Sequence, residues 1–359
     1  MEGAISFQRD SLRRALSLAR AACPYLTATK LRNVLLCEAE SLRRLPRPRA
    51  FPFAAILDVA GTCNLRCPYC PTGAGRDRGR HQRLLPLTLV RKLLEEAGDF
   101  LLSASLYNWG EPLLHPQLPH IVHLFHQRRV FTSVSTNLSL ERQDLLEDLC
   151  NAGLDHLVVS VSGASQAVYE IYHRRGNLNL VVDNLKFLTD LKRRRGLKKP
   201  LIEMKYLVFT TNLHEMQAAA HLAQALGVDR FWRLPGGGPP EVEVHKYGSD
   251  FHPLAPLQHC YQLWHAVVLN ADGRVAPCCY TYFQEDDFGD FSQGTLQEIR
   301  LNEKSIQARS LFNPRLLDKL PPNLKHPCLK CHVVHKQRHL RPYLGENPYA
   351  AQGHRTGGF

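Results

Sequence analysis

AAILDVAGTCNLRCPYC, residues 54–70, runs an apolar strand straight into a loop with cysteines at 63, 67 and 70. The CxxxCxxC spacing places three thiolates on one tight loop, enough to ligate three irons of a [4Fe–4S] cubane. No fourth cysteine follows closely, so the fourth iron would be open to a small ligand. Zinc is the rival reading, but it takes four ligands, and His81 or a distant cysteine would have to complete the set. Disulfides fit less well, because the chain carries eleven cysteines, an odd number, in clusters.

Working outward, the strand-then-helix pattern repeats. SASLYNWG (103–110), VFTSVSTN (130–137), LDHLVVSVSG (154–163), PLIEMKYLVFTT (200–211) and VDRFWRLP (228–235) read as strands. Amphipathic stretches such as LTLVRKLLEEAGDF (87–100) and SLERQDLLEDLCNAG (139–153) read as the helices between them. Six strands with helical crossovers define an α/β fold with a parallel sheet, either an open doubly wound sheet or an incomplete barrel. In both, the reactive site forms from loops at the C-terminal ends of the strands.

The rest of the chain divides by composition. Residues 1–50 read as a basic helical arm, ended by the proline-rich LPRPRAFP (45–52), and packing on the main domain is its simplest role. Residues 51–240 hold the βα repeats, 241–254 are the linker, within and after the Gly- and Pro-rich PGGGPPEVEVHKYGSD (235–250), 255–345 are short elements around cysteines, and 346–359 are a flexible tail. The cysteine-rich part has too few apolar positions for a core without a metal. With 359 residues, 44% hydrophobic and 22% charged, the chain is not a coiled coil or a disordered protein. No apolar run reaches the roughly 18 residues of a membrane span. The arginine-interrupted N-terminus lacks the apolar stretch of a secretory signal, so a cytoplasmic protein is expected.

The CxxxCxxC loop with an aromatic, Tyr69, before its last cysteine resembles the signature of the radical S-adenosylmethionine (SAM) superfamily. NWGEP (108–112) resembles that family's Gly-Gly-Glu-Pro motif, with Trp109 in place of the first glycine. STN (135–137) ends the third strand, and SVSGASQAVYEIYHRRGN (160–177) resembles the fourth-strand segment, with Ser162 where aspartate is usual. The resemblance implies a partial (β/α)6 TIM-like barrel. It implies that Cys63, Cys67 and Cys70 hold a [4Fe–4S] cluster whose open iron chelates SAM. Glu111 would accept a hydrogen bond from the SAM amine, and Arg174 would pair with its carboxylate. Ser160 and Ser162 would face the carboxylate or ribose, Asn137 the ribose, and Tyr69 the adenine. Helix capping by Glu111 and a plain surface role for Arg174 are the alternatives.

Cys260, a hairpin turning at 271–273 with Gly273 five residues before Cys278, and the Cys328–Cys331 CxxC resemble the small C-terminal α+β extension called SPASM, or Twitch in its shortened form. The resemblance implies an auxiliary [4Fe–4S] cluster on Cys260, Cys278, Cys328 and Cys331, and the shortened form suits the supply of cysteines. A zinc ribbon is the alternative, with His332 and His335 as substitute ligands. Cys279 is left open as core residue, swap ligand or substrate-facing thiol.

Net charge is +12, concentrated at 192–199 and 325–341. A solvated helix end explains the first run; the second would favour an anionic substrate or partner. No RNA-binding motif stands out. The resemblance implies an enzyme that cleaves SAM to a 5′-deoxyadenosyl radical and abstracts hydrogen from a small-molecule or peptide substrate. It would be supplied by a one-electron donor such as flavodoxin or ferredoxin. A zinc-stabilised binding protein and an RNA-modifying radical SAM enzyme are the rivals.

Overall fold

The computed structural model describes residues 7–239, 241–242, 260–321 and 323–335, with side chains described from residue 13 and without those of His332 and His335. The linker 241–254, apart from its first two residues, and the tail 346–359 therefore lie outside the described residues.

Six strands, β1 (Ala54–Leu57), β2 (Ser103–Ser105), β3 (Phe131–Thr136), β4 (His156–Ser160), β5 (Leu201–Val208) and β6 (Arg230–Pro235), pair in parallel in chain order. An open doubly wound sheet would reverse its strand order at a switch point. Among β1 to β6 the order never reverses, so right-handed crossovers carry each of their helices to the same face and these six strands curl into a partial barrel. The crossover helices are α3 (Leu87–Ala97), α4 (Leu118–Gln127), α5 (Gln143–Asn151), α6 (Gln166–Tyr172), α7 (Leu178–Arg195) and α8 (Met216–Ala225). Period-two alternation separates the strand faces. Leu57, Leu106, Val134, Val159, Met204 and Tyr206 enter the core under the helices. Ser105, Ser133, Ser135, Ser160, Lys205 and Trp232 alternate with core-facing neighbours and line the concave face.

The sheet does not stop at β1. Strand β7 (Ala266–Leu269) pairs with it in parallel, from Ala54↔Ala266 to Leu57↔Leu269. Strands β8 (Arg274–Ala276) and β9 (Gly289–Asp290) follow antiparallel, making nine strands. The expected hairpin is present: Gly273 takes φ +82°, a left-handed conformation that favours glycine, and its N–H donates to Asn270 O at 2.9 Å. The cysteine-rich segment is thus an extension of the barrel wall, with a second core of Leu263, Trp264, Phe312, Leu317 and Val334.

The arm is two helices. α1 (Phe7–Ala22) ends in a 3-10 turn at Cys23–Tyr25, where Pro24 interrupts the helix, and α2 (Ala28–Leu42) follows a Thr27 cap. α2 buries its polar side and exposes leucines 31, 35, 36 and 42. Each buried polar group is satisfied. Lys30 donates to the carbonyls of Arg128 and Arg129, Asn33 exchanges two hydrogen bonds with Phe51, and Glu40 accepts from Arg49 and Ala50 N–H. Cys37 of this helix packs into the second core.

That core is pinned by Arg309 of α9 (Glu303–Ser310). It is 2% exposed and donates to the carbonyls of Pro46, Leu263 and Arg300. Arg309→Ala strands three carbonyls. Since a hydrogen bond to a charged group contributes about 1.5–3 kcal/mol, unfolding free energy should fall by about 3 kcal/mol, read by denaturant titration.

Candidate functional site

The cysteine loop leaves the C-terminal end of β1 and is held from several sides. Arg66 N–H donates to Arg174 O at 3.0 Å, and Asn64 Nδ2 to Ser139 O at 3.0 Å. Cys63 Sγ accepts from Leu65 N–H at 3.4 Å and from Asn137 Nδ2 at 3.7 Å. Burial pushes the Cys63 thiol up to about 12, with the Glu111 charge adding to it. Burial also pushes Cys67 up, and the nearby Cys70 and Cys63 push it further. Cys63, Cys67 and Cys70 are therefore close together and partly out of water.

Glu111 is 3% exposed and sits at the end of β2, against β3. Its carboxylate accepts from Thr136 Oγ1 (2.6 Å), Asn137 N–H (2.8 Å) and Leu113 N–H (3.0 Å), the last capping a 3-10 turn, Pro112–Leu114. A carboxylate has about four acceptor positions, so one more donor can be received. Burial raises the Glu111 pKa to about 7 against the pull of those three donors. Gly110 is required here: a Cβ would lie 1.6 Å from Ala60 O, while Glu111 N–H reaches Thr62 O at 2.8 Å.

Trp109, the departure from the family's pattern, is accommodated. Its N–H and that of Gly110 both donate to Asp58 Oδ1 at 3.1 Å. Its indole turns away, donates Nε1–H to Thr281 O at 3.2 Å and packs edge-on against Tyr282 at 5.1 Å. Asp58 also takes Arg78 Nη1 at 3.0 Å, and Arg78 Nη2 donates to Gly61 O.

The other expected residues divide. Tyr69 stands beside the loop in an aromatic wall with Tyr172 and Phe209, ring centroids 6.0 and 5.8 Å away. Asn137 and Ser160 lie at the top of β3 and β4; Asn137 also donates to Asn64 Oδ1 at 2.9 Å. Ser162 is fully buried and already engaged, accepting from Leu207 N–H at 3.3 Å and bonding His173 Nε2 at 3.2 Å. Arg174 is exposed, and what it gives the loop is its backbone carbonyl. Its neighbour His173, which the sequence did not single out, is the buried one. Its Nδ1 lies 3.9 Å from Cys67 Sγ, and burial drives its pKa down to about 3, with Lys205 adding to it. A lone histidine among eighteen carried no signal; its place between a serine and a cysteine exists only in the fold.

The C-terminal cysteines gather as well. Burial raises Cys328, Cys260 and Cys331, and in each Cys278 contributes; Cys328 feels all three others. Cys279 feels Cys278 and accepts from Gln262 Nε2 at 3.4 Å. His326, also missed, is buried, caps the CxxC turn by accepting Cys328 N–H at 3.1 Å and donates towards Lys304 O. None of the eleven cysteines forms a disulfide. The donor sets fit iron–sulfur clusters. Cysteines packed this closely and out of water become thiolates only against a multivalent cation. Among the described residues no three Cys, His, Asp or Glu converge on one ion; a cubane gives each thiolate its own iron.

Comparison with known proteins agrees. Residues 58–223 match the radical SAM superfamily and residues 260–332 match SPASM, an iron–sulfur cluster-binding domain. The chain carries a radical SAM superfamily domain followed by a SPASM/Twitch-type extension; such domains bind SAM, a [4Fe–4S] cluster and auxiliary iron–sulfur. It is 26% identical to a tungsten-containing aldehyde ferredoxin oxidoreductase cofactor-modifying protein of Pyrococcus furiosus, over 68% of this chain and 78% of that protein. It is 23% identical to the PqqA peptide cyclase of Granulibacter bethesdensis, over 50% of this chain and 46% of the cyclase. The chain thus spans about half the length of that cyclase. Its fold is shared with Streptococcus suis SuiB bound to precursor peptide SuiA (TM-score 0.58, 12% identity, 77% of this chain and 70% of that one). It is also shared with anSMEcpe with bound AdoMet (TM-score 0.54, 13% identity, 73% and 84%). Among the described residues no helix is long and apolar enough to cross a membrane.

Two iron counts test the division of ligands. Gly110→Ala should cost the first cluster and lower iron by about four per chain, with the C-terminal set retained. Cys279→Ser should keep the full iron content, whereas Cys278→Ser should lose about four irons.

Proposed function

We propose that this enzyme cleaves SAM reductively and uses the product radical to abstract hydrogen from an unactivated carbon of a small-molecule or peptide substrate. The observation that carries the reading is the half-buried Cys63–Cys67–Cys70 loop beside a buried Glu111 with one acceptor position to spare. When bound, the [4Fe–4S] cluster supplies the electron that splits SAM into methionine and a 5′-deoxyadenosyl radical. Glu111 receives the SAM amine, and Arg174, at the rim, reaches the methionine carboxylate. Asn137 and Ser160 hold the ribose side. Tyr69 borders the adenine, and the Tyr69–Tyr172–Phe209 wall keeps water from the reacting carbon. Ser162, engaged with His173, positions the wall behind the loop rather than touching SAM. The four C-terminal thiolates, if all engaged, close their cluster to direct substrate ligation and suit it to electron transfer. A donor such as flavodoxin or ferredoxin supplies the first electron. The cyclase relatives and the peptide-bound neighbour support a peptide over other substrates.

Protein purified without oxygen should hold about eight irons per chain and form 5′-deoxyadenosine from SAM and dithionite. Zinc without iron after anaerobic reconstitution would defeat the proposal. Cys67→Ala should abolish SAM cleavage, and Cys328→Ala should spare some of it. Glu111→Gln should weaken SAM binding by about ten- to a hundredfold, the loss of one charge-assisted hydrogen bond, measured by equilibrium titration.

A further inference from the structure

The concave face of the barrel has an excess of positive charge below the cysteine loop. Glu203 of β5, fully buried, is the acid at its centre. Arg14 of α1 pairs with both its oxygens, at 2.7 and 2.9 Å, and Arg230 Nη1 lies 3.6 Å away. His156 Nε2 lies at 3.8 Å, and its other nitrogen bonds Ser133 Oγ at 3.0 Å. Asp58, the acid of β1's end, is taken by Arg78. One carboxylate therefore answers to Arg14, Arg230 and Lys205, with His156 beside it.

Among the described residues Lys205 is the cation left over. It is two residues above Glu203 on the same face, level with Ser160 of β4 and Trp232 of β6 in the strand register. The indole of Trp232 is covered by the Arg14 guanidinium, 3.9 Å from the ring centroid. Its Nε1, buried, donates to no group of the described residues, and neither does the buried Arg230 Nη1. A buried donor without an acceptor is destabilising, so such groups are kept where a ligand answers them. Ser162, which bonds the loop's neighbour His173, is two residues above Ser160, a rise of about 7 Å. Lys205 is thus within one small-molecule length of the cysteine loop. Burial lowers its pKa to about 8, with Arg14 adding to the effect, as suits a cation awaiting a partner.

We infer that Lys205 and Trp232 Nε1 form an anion subsite in the barrel, binding a carboxylate or phosphate carried by the substrate. This deepens the proposed function and rests on it for the word substrate. Arg14 and Glu203 act as positioning residues: Arg14 takes up the carboxylate that would otherwise neutralise Lys205 and holds the indole. The anion is recognised by a charge-assisted bond from Lys205 and a neutral one from the indole.

The test titrates glutarate and inorganic phosphate separately into SAM-loaded, cluster-replete protein at constant ionic strength, by calorimetry without oxygen. At least one should bind; which one does separates a carboxylate substrate from a phosphorylated one. Lys205→Met should weaken that binding at least tenfold, Trp232→Phe about threefold, and Lys205→Arg should restore most of it. SAM affinity should move less than threefold in all three. Failure of both anions to bind, or equal binding by Lys205→Met, would overturn the inference. So would a tenfold loss of SAM affinity in Lys205→Met, because the site would then serve the SAM carboxylate. Lys205-dependent anion binding by a protein that does not cleave SAM would leave the subsite standing and remove the radical reading instead.

Discussion

The buried carboxylate of Asp58 is the tie on which the site depends. It stands where β1 hands over to the cysteine loop, is 1% exposed, and accepts from the backbone of Trp109 and Gly110 and from Arg78. A charge this far from water persists only when its oxygens are answered. Answering them fixes the start of the cysteine loop, the segment that presents Glu111, and the loop that runs on from the cysteines. Glu111 in turn fixes the end of β3. Three strands are locked in register by two carboxylates, and the pocket between them is a by-product of that locking.

The loop beyond the cysteines is a clasp onto the C-terminal extension. Arg80 is wholly buried between Asp272 of the hairpin turn and Asp287. Tyr282 Oη–H donates to Arg76 O, and Gln284 N–H to Arg78 O. Trp109 closes the same seam from the other side through Thr281 and Tyr282. The two cysteine regions are therefore joined by packed side chains rather than by a flexible tether.

Much of this was legible in the residues. The CxxxCxxC loop, the six βα units and the Gly-x-x-x-x-Cys hairpin follow from local spacing, because strand alternation, helix periodicity and turn glycines are short-range effects. The parallel sheet was readable from periodicity; periodicity left barrel and open sheet both standing, the family resemblance chose the barrel, and the order of β1 to β6 bears that out. What stayed hidden is long-range. Arg14 and Glu203 are 189 residues apart, and Arg80 and Asp287 are 207 apart; no periodicity links such pairs. α2 is a sharper case. The sequence showed only a basic helical arm, whereas the fold turns Lys30, Asn33 and Glu40 inward, where they meet backbone groups of neighbouring loops, and leaves Leu31, Leu35, Leu36 and Leu42 outside. Trp109 read as a disturbance of the glycine motif, and its indole proves to belong to another part of the chain.

The pairing of β1 with β7 bears on how the chain is made. The first strand of the barrel finds its second neighbour only in residues 266–269, across most of the chain's length. A ribosome delivers the six βα units well before that strand emerges. Until then one edge of β1 presents unpaired N–H and C=O groups, the template on which sheets of different chains join. Chains truncated before Ala266 would keep that edge open, and the C-terminal extension is the piece that covers it.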